Sequence, residues 1–324
     1  MKNILITGGA GYIGSHIVEL LLKNKKKIII ADNLSTGFKT LINKKAKFFN
    51  VNISDTKRLK KIIIDNNVDS IIHLAASLSI GLGEKKPKFY FSNNVLGTKS
   101  VLLATKQTLV KNFIFSSTAA VYKDGQSFVS EKSTVKPKSV YGKTKLKAET
   151  LITKFCKKNK LNYGILRYFN VCGARPSGNI GLISKGDNLF KNISIQIVKK
   201  KPLIRIYGND YNTPDGTTVR DYIHVSDLSE IHYKILKKIS KTNKSKIINC
   251  GYNRGISVKE VVDEFKKQSK KKIKINLQKR RPGDMEIIVA KNKNLKKFIK
   301  LKIKYNDLST IVRSCIRWEK SISN

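Results

Sequence analysis

A tyrosine and a lysine four residues apart, Tyr141 and Lys145, are the side chains of this sequence best suited to acid–base chemistry. They open a helical pattern that runs to about Asn159, so the two would lie one above the other on one helix face. A free tyrosine has a pKa of ~10, and one neighbouring ammonium lowers a pKa by ~1–3 units. The pair therefore predicts a tyrosine base, with a second positive charge supplying the remaining stabilisation of the tyrosinate.

A hydroxyl-rich run, Ser116-Ser117-Thr118, closes a predicted strand shortly before this pair. Thr118 would place a hydroxyl where it can bridge Tyr141 and a substrate oxygen. A Tyr-x-x-x-Lys spacing alone is common in a lysine-rich chain, where it usually marks a solvated tyrosine beside a surface lysine. The predicted strand before it, and the turn at the start of the chain, favour the catalytic interpretation.

The elements that must position these residues begin with a glycine-rich turn. A short apolar run, residues 4–6, leads into Gly8, Gly11 and Gly14 at intervals of three, and a helical pattern follows. Such glycines let the backbone turn sharply, let a pyrophosphate approach the main chain, and let the helix pack closely on the strand. The turn therefore predicts a dinucleotide-phosphate site at a helix N-terminus.

An acid closes the second predicted strand. Asp32 follows the apolar run 27–31 at about the ~20-residue offset expected of a carboxylate that binds an adenosine ribose. A carboxylate there accepts hydrogen bonds from both ribose hydroxyls and repels a 2′-phosphate. The sequence therefore predicts NAD rather than NADP, and the charged nicotinamide ring would provide the second positive charge beside Tyr141.

Strands and helices alternate along the chain, which indicates right-handed crossovers and a parallel sheet. The predicted strands cover 4–6, 27–32, 47–53, 70–76, 112–117, 163–170 and 247–251, and the predicted helices after the first cover 56–67, 93–108, 141–159, 257–267 and 307–318. The predicted fold is α/β, a Rossmann-type doubly wound parallel sheet with a smaller C-terminal α/β substrate-binding region. We expect an NAD-binding domain over 1–170, with a returning segment near 221–251, and a mainly substrate-binding domain over 171–324.

The composition is strongly basic, with a formal net charge of +44 over 324 residues, and 40% of the residues are hydrophobic. The excess is lysine, scattered in pairs and triplets through segments that still alternate apolar residues, which indicates solvated faces rather than a nucleic-acid groove. No apolar stretch approaches the ~18–20 residues of a membrane span, and the chain enters a strand without the regions of a secretory signal. We therefore expect a cytoplasmic protein with neither nucleic acid nor a membrane as partner.

Cysteine and histidine spacing predicts neither a disulfide framework nor a metal site. The four cysteines lie far apart without a C-x-x-C pair, as expected of free thiols in a reducing compartment. The four histidines are not spaced as ligands and are expected to be hydrogen-bonded structural residues.

Because most of the basic residues are lysines, the few arginines mark places where a planar guanidinium that binds with two parallel hydrogen bonds matters. Four of them stand out: Arg167, Arg220, Arg280 and Arg281.

Taken together, these motifs resemble the extended short-chain dehydrogenase/reductase family, and within it the UDP-glucose 4-epimerases. The matching segments are Gly8–His16, Asp32–Gly37, His73–Ala76, Asn93–Thr98, Ser116–Thr118, Tyr141–Lys145, Leu166–Asn170, Val219–Val225 and Arg280–Asp284. They extend over nearly the whole chain, to about residue 290. The glycine turn and the Tyr-Lys pair are typical of the whole superfamily, whereas the stretch from Gly208 to His224 is specific to the epimerases.

The resemblance implies an isomerase that interconverts UDP-galactose and UDP-glucose with a tightly held NAD. The implied catalytic residues are Tyr141, Lys145 and Thr118. Tyr141 takes the proton of the sugar 4-hydroxyl, directly or through Thr118, while hydride passes from C4 to NAD. The 4-keto sugar then turns over and receives hydride on its other face, so no net redox change results. The resemblance also implies a homodimer, with helices 93–108 and 141–159 building the contact.

The resemblance further assigns residues around cofactor and substrate. Those implied to bind NAD are Gly8, Gly11, Tyr12, Ile13, Gly14, Asp32, Asn33, Ser35, Thr36, Gly37, Asn52, Ile53, Leu74, Ala75, Ala76, Asn93, Lys145 and Phe169. Those implied to bind the UDP-hexose are Thr118, Tyr141, Asn170, Asn188, Tyr207, Arg220, Arg281 and Asp284. The residue types fit these roles, since arginines bind a diphosphate bidentately and a tyrosine can stack on uracil.

Three positions depart from the pattern of the relatives. Asn52 stands where many have an aspartate that accepts from the adenine amine, although its amide oxygen can still accept. Leu78 stands where some have a lysine near the pyrophosphate. Ile288 falls beside the sugar C2 substituent, where relatives vary between bulky and small residues, so the use of N-acetylhexosamines stays open.

Other functions compete with this interpretation. A nucleotide-sugar 4,6-dehydratase needs an Asp-Glu pair straight after the threonine, where this chain has Ala119 and Ala120. A nucleotide-sugar decarboxylase of the same superfamily, and 4-epimerases of UDP-N-acetylglucosamine, UDP-pentoses or UDP-uronates, are further alternatives. A basic NAD-sensing protein, or one that holds RNA on its lysines, comes from a different class, and the intact set of Tyr141, Lys145 and Thr118 favours an enzyme over it.

Overall fold

A computed structural model describes residues 2–184, 186, 188–281 and 284–323 of the chain. Two residues of the Arg280–Asp284 motif, Pro282 and Gly283, therefore lie outside the described residues. The described strands are β1 (Asn3–Thr7), β2 (Lys27–Asp32), β3 (Lys47–Asn50), β4 (Ser70–His73), β5 (Asn112–Thr118), β6 (Phe128–Val129), β7 (Asn162–Tyr168), β8 (Asn170–Cys172), β9 (Leu203–Tyr207), β10 (Val219–His224), β11 (Lys246–Cys250), β12 (Gly255–Ser257), β13 (Lys274–Gln278) and β14 (Ile287–Ala290).

Helices connect most of these strands. The described helices are α1 (Tyr12–Lys23), α2 (Thr56–Asp65), α3 (Ile80–Lys85), α4 (Pro87–Phe91), α5 (Gly97–Ala104), α6 (Val140–Lys158), α7 (Leu189–Ile197), α8 (Val225–Thr242), α9 (Val258–Ser269), α10 (Lys293–Phe298) and α11 (Leu308–Ser323). Short 3₁₀ turns cover Lys39–Leu41 and Ala119–Val121, and a π-helical turn covers Ser92–Leu96. None of the helices in the described part of the chain combines the length and the apolar character that a bilayer crossing requires.

Seven parallel strands form the central sheet, in the order β3-β2-β1-β4-β5-β7-β11. The order reverses direction at β1, so a crevice opens at the carboxyl ends of β1 and β4, where doubly wound sheets bind ligands. This arrangement confirms the predicted Rossmann-type α/β fold. The strand β11 pairs with β7 although α7, α8 and three strands come between them in the sequence.

Apolar side chains cover both faces of the central sheet. One cluster joins the sheet to α1 and α8, and includes Ile17, Leu21 and Leu228. A second cluster joins the opposite face to α2, α5 and α6, and includes Leu59 and Val101. The strands are nearly continuous apolar runs because helices bury both of their faces.

Smaller sheets carry the rest of the chain. Four strands pair in the order β12-β10-β14-β6, β8 adds to β10, and β9 pairs with β13 in a separate parallel ribbon. A third apolar cluster, with Phe190 and Phe265 among its members, packs α7, α9 and α11 together. The ribbon of β9 and β13 was not predicted, because its second strand is an exposed polar segment without a buried face.

Local hydrogen bonds explain where several elements begin and end. The predicted capping box is confirmed, since Ser257 and Glu260 bond reciprocally at the start of α9. The predicted strand 47–53 is wrong beyond Asn50, because the amide oxygen of Asn52 accepts from the backbone of Ser54 at 3.0 Å and turns the chain toward α2. The predicted helix 93–108 instead starts as a π-helical turn and ends at Ala104.

Candidate active site

Two glycines of the glycine-rich turn, Gly8 and Gly14, are packed too tightly to be replaced by a residue with a side chain. A Cβ atom on Gly14 would lie 2.2 Å from the carbonyl oxygen of Gly8, and a Cβ on Gly8 would lie 2.7 Å from the amide nitrogen of Ala75. Gly8 also has a φ of +73°, a conformation that favours glycine. Bare backbone therefore lines the crevice where a pyrophosphate would have to approach, so the turn fits the predicted dinucleotide.

The N-terminus of α1 follows directly from this turn. Its N-cap is Gly11, which offers no side-chain acceptor to the first backbone N–H groups of the helix. A bound anion is the natural acceptor at such a helix end. Tyr12 and Ile13 form the first turn of the helix, and the hydroxyl of Tyr12 donates to the carbonyl oxygen of Gly173 at 2.5 Å.

The buried carboxylate of Asp32 organises the loop at the end of β2. Its Oδ2 accepts from the backbone of Ala10 at 3.0 Å, and its Oδ1 accepts from Leu34 at 2.8 Å. A Cβ on Gly37 would come within 3.0 Å of that carboxylate, which keeps the loop close to the glycine turn. Each carboxylate oxygen has a second lone pair, so Asp32 can still accept from ribose hydroxyls.

Some of the remaining residues assigned to NAD lie around the same crevice. Leu74, Ala75 and Ala76 follow β4 directly, and the backbone of Leu74 donates to Thr7 at 3.0 Å. The amide of Asn93 donates to the hydroxyl of Ser77 at 3.0 Å. The others occupy three places: Asn33, Ser35 and Thr36 in the Asp32 loop, Asn52 and Ile53 after β3, and Phe169 between β7 and β8. Asn52 is exposed and its amide oxygen is already used locally, which weakens its predicted role as an adenine acceptor.

The catalytic candidates meet at the end of β5. The side chain of Thr118, the last residue of that strand, is hydrogen-bonded to Tyr141 in the first turn of α6. Ser139 caps this helix by accepting from the backbone of Gly142 at 3.1 Å, which fixes the helix start and hence the position of Tyr141. One turn further, the Lys145 ammonium donates to the carbonyl oxygen of Ser116 at 2.8 Å.

Burial dominates the electrostatics of this group. It raises the pKa of Tyr141 to about 12, although the hydrogen bond from Thr118 lowers the pKa. Burial also lowers the pKa of Lys145 to about 7, and the negative charge of Glu149 partly opposes this. The spacing predicts that Lys145 lowers the tyrosine pKa, but desolvation outweighs a lysine whose Nζ lies 6.0 Å from the ring centre of Tyr141, so the lysine alone does not supply the lowering. A positive charge placed against the tyrosine is therefore needed to form its anion near neutral pH.

Four of the residues assigned to the UDP group lie on or near the smaller sheets: Tyr207 on β9, Arg220 on β10, Arg281 after β13 and Asp284 before β14. The guanidinium of Arg281 stacks 4.0 Å from the ring centre of Tyr207, and that of Arg220 lies 3.5 Å from a carboxylate oxygen of Asp284. These four residues are thus brought together in pairs. One face of Tyr207 is already covered by an arginine, so only the other face remains for a base.

Strand pairing links this group to the central sheet. Arg220 on β10 is the register partner of Ile288 on β14, and Tyr222 on the same strand is the partner of Asn170 on β8. Ile288 is buried in a cluster that includes Phe169. Asn188, the N-cap of α7, donates from its amide to the carbonyl oxygen of Val171 at 3.0 Å.

A buried polar network behind Lys145 was only partly anticipated. Arg167 does form the bidentate fork predicted for it, with its Nε 3.0 Å from Oε1 and its Nη2 2.7 Å from Oε2 of Glu149. Glu149 itself was not singled out as a functional residue. The signal that could have found it is its spacing, four residues after Lys145 on the same helix face.

The histidines and cysteines have the structural character predicted for them. His73 lies between the hydroxyls of Thr7 and Thr98, at 2.6 Å and 3.0 Å, and its pKa is lowered to about 3 by burial and by the charge of Lys145. The four cysteines are free and buried. Across the described residues, no cluster of histidine, cysteine or carboxylate side chains could hold a metal ion.

The crevice, the glycine turn and the Tyr-Lys pair define a nucleotide-dependent enzyme of the short-chain dehydrogenase type. The chain matches the NAD dependent epimerase/dehydratase family over residues 4–251 and belongs to that family. Its members are NAD-dependent, and the backbone cradle of this chain fits that cofactor.

More particular relatives are UDP-glucose 4-epimerases. The chain is 36% identical to that of Lactobacillus helveticus over 320 residues, which is 98% of this chain and 97% of the relative. A structure of the Stenotrophomonas maltophila UDP-glucose 4-epimerase with bound NAD and formylated UDP-arabinopyranose superimposes with a TM-score of 0.95, at 30% identity over 100% of this chain and 99% of that one. The UDP-Glc/GlcNAc 4-epimerase of Campylobacter jejuni gives a TM-score of 0.86, at 37% identity over 99% of this chain and 100% of the other.

Proposed function

We propose that the protein is an isomerase, a UDP-glucose 4-epimerase that interconverts UDP-galactose and UDP-glucose through a 4-keto intermediate with tightly bound NAD. The observation that carries this proposal is the meeting of Tyr141, Thr118 and Lys145 at the carboxyl end of β5, on the same edge of the parallel sheet as the glycine turn after β1. A proton acceptor there would lie beside the expected position of a nicotinamide. The enzyme would serve galactose and nucleotide-sugar metabolism.

The chain's residues divide the work of the reaction. Tyr141 removes the proton of the sugar 4-hydroxyl, and Thr118 holds the tyrosine and the sugar oxygen in line through its own hydroxyl. The Lys145 ammonium, one helical turn further along α6, stabilises the tyrosinate by its positive charge. When bound, NAD supplies a reversible hydride acceptor at the sugar C4. Tyr141 returns the proton after the keto sugar has turned over, so the residues end the cycle as they began it.

Substrate and cofactor would be held by separate parts of the chain. We assign NAD to residues 1–170, together with a returning segment near 221–251, and the substrate mainly to residues 171–324. Arg220 and Arg281 would bind the diphosphate, and Asp284 would then exchange its contact with Arg220 for a ribose hydroxyl. The glycine turn, the Asp32 loop and the segment 74–76 would hold the dinucleotide.

A homodimer is part of the proposal. Large apolar side chains around the π-helical turn are exposed, namely Leu78, Ile80, Leu82, Phe89, Phe91 and Leu96. Phe91 lies under the ammonium of Lys147, at 5.0 Å, so this patch continues onto α6. A contact built by the turn and α6 of two copies would cover the patch. Sedimentation that gives the mass of one chain at every concentration would overturn the proposed dimer.

The free, buried thiols support a cytoplasmic location.

The first test is to supply purified protein with UDP-galactose, without added NAD, and to separate the nucleotide sugars by chromatography. We expect UDP-glucose, and we expect Tyr141→Phe to abolish or nearly abolish its formation while the protein stays folded. No conversion by the wild-type chain, even with NAD restored, would remove the assignment.

UDP-N-acetylglucosamine is the second substrate to try. One relative of this chain is a UDP-Glc/GlcNAc 4-epimerase. Ile288, which the resemblance puts beside the sugar C2 substituent, is mid-sized and 5% exposed, so its branched side chain would narrow the space there without filling it as an aromatic ring would. Conversion of UDP-N-acetylglucosamine as fast as UDP-galactose would identify a dual-substrate epimerase.

A further inference from the structure

Three side chains of α6 share one face at intervals of four residues: Tyr141, Lys145 and Glu149. The first two have roles in the proposed reaction, whereas nothing in that reaction uses the third. Glu149 is nevertheless almost completely buried, with 3% of its surface exposed, and Lys145 is 1% exposed. A buried carboxylate costs several kcal/mol unless it is paired, so its retention here calls for a physical reason.

Glu149 is held rigidly by the two strands beneath it. The hydroxyl of Ser117 on β5 donates to its Oε1 at 2.5 Å, and Arg167 on β7 binds both of its oxygens. Ser117 and Arg167 are register partners across the two strands, so the carboxylate is fixed by three donors from the centre of the sheet. Arg167 also donates to the hydroxyl of Tyr122 at 3.1 Å, and that hydroxyl donates to Asn249 on β11 at 2.6 Å.

Lys145 has weak partners of its own. Its ammonium donates to a backbone carbonyl, that of Ser116, and lies 4.8 Å from the ring centre of Phe115, and neither group carries a full charge. Among the described residues, the charged and titratable groups that face it are Tyr141 and Glu149 on α6 and His73 on β4. Glu149 is the acid among them, and its charge raises the pKa of a lysine that burial lowers.

We propose that Glu149, fixed by Arg167 and Ser117, is a positioning residue that keeps Lys145 charged and aimed at Tyr141. The inference rests on the proposed function for the role of Lys145, and adds the residue that maintains it. The carboxylate of Glu149 thus interacts with two buried cations, Arg167 and Lys145. The rigid clamp from Arg167 ensures that Glu149 does not swing to form a direct ion pair, which would draw the ammonium away from the tyrosine.

The test compares the pH dependence of kcat in the wild type and in Glu149→Gln. A neutral amide no longer favours the ammonium, so the high-pH limb, where Lys145 loses its proton, should move down by ~1 unit. On that limb, kcat should fall about tenfold relative to the wild type. Glu149→Asp, which keeps the charge, should restore most of this shift.

A matched control comes from a second buried ion pair. Lys191 and Glu319 lie 2.7 Å apart between α7 and α11, away from the proposed chemistry. Glu319→Gln should lower the stability of the protein as Glu149→Gln does, yet leave the pH profile unchanged. An equal shift in both variants, or none in Glu149→Gln, would overturn the proposal.

Folding and function are kept apart by two additions. If the unpaired Arg167 prevents Glu149→Gln from folding, the double variant Glu149→Gln, Arg167→Gln removes both charges, and its Lys145 should still lose its proton at lower pH than in the wild type. NMR titration of isotope-labelled lysine side chains measures that midpoint without any substrate. It would separate a wrong role for Glu149 from a wrong substrate, and a wild-type midpoint in the double variant would disprove the role.

Discussion

At the scale of single residues, Tyr141 is governed by opposing effects. Burial raises its pKa to about 12, while the hydroxyl of Thr118 acts in the opposite direction. Because each pKa unit represents about 1.4 kcal/mol, every group that favours the tyrosinate contributes directly to the rate. Thr118 is therefore the residue whose loss should be most informative, since its side chain has a near-isosteric apolar replacement.

Thr118→Val should lower kcat by on the order of a hundredfold, the lower end of what a positioned acid–base group contributes. The low-pH limb of kcat should also move to higher pH, because the tyrosinate loses a hydrogen bond that lowers its pKa. Thr118→Ser keeps the hydroxyl and should retain most of the activity. A valine variant with wild-type kcat and an unshifted profile would show that Tyr141 works without this partner.

Residue types allowed part of this site to be predicted. The glycines, Asp32 and the Tyr141–Lys145 pair were found because their chemistry depends on local spacing along one helix or one turn. The extent to which burial raises the pKa of Tyr141 was not predicted, since it depends on how much protein surrounds the ring. Arg167 was marked as a fork, but its partner is 18 residues away in the sequence and becomes adjacent only through the fold.

At the scale of elements, the position of α1 depends on the absence of a side chain at Gly14. A Cβ there would lie 2.2 Å from a backbone oxygen that has no room to move, since Gly8 is itself packed against Ala75. The helix would have to shift away from β1, and with it the N–H groups that would meet the dinucleotide.

Gly14→Ala should therefore destabilise the protein by ~1–3 kcal/mol or more, the range for overpacking, and should reduce the NAD retained after purification. Urea unfolding and cofactor release would measure the two effects. Gly81→Ala in α3 is the matched control, because a Cβ at Gly81 meets nothing within 4 Å. It should leave stability unchanged or raise it by up to ~1 kcal/mol. Equal behaviour of the two variants would contradict the packing argument.

Element boundaries were predicted well where a side chain marks them. The box of Ser257 and Glu260 gave the start of α9 because capping is a local interaction. The π-helical turn at Ser92–Leu96 left no comparable signal, because the contacts that accompany it come from elsewhere, including the amide of Asn94 donating to the carbonyl of Ser77 and the hydroxyl of Thr144.

At the scale of the whole molecule, the buried histidines link stability to pH. Burial lowers the pKa of His16 and His232 to about 4, and of His73 and His224 to about 3. Unfolded histidines bind protons below about pH 6.5, whereas the folded ones do not. The unfolded state therefore gains protons first, and stability falls as the pH is lowered through 6.5. Asp221 opposes this with one proton, since burial raises its pKa to about 6.

With one opposing group among five, stability should fall by up to about 4 kcal/mol per pH unit between about pH 6 and about pH 5. A slope of this size would cancel the whole free energy of unfolding of a typical domain within a few pH units. Urea midpoints measured across this range test it. His232→Gln should reduce the slope by about 1.4 kcal/mol per pH unit, and a flat dependence in the wild type would contradict the argument.

The pairing of β11 with β7 also bears on how the protein is made. During translation, Tyr168 at the end of β7 is synthesised long before Cys250 at the end of β11. At a synthesis rate of ~5–20 residues per second, the edge of β7 stays unpaired for several seconds. During that interval α8, which covers one face of the sheet, is also missing. A nascent chain released early would expose a bare strand edge and an apolar sheet face together, and such intermediates are the species that chaperones bind.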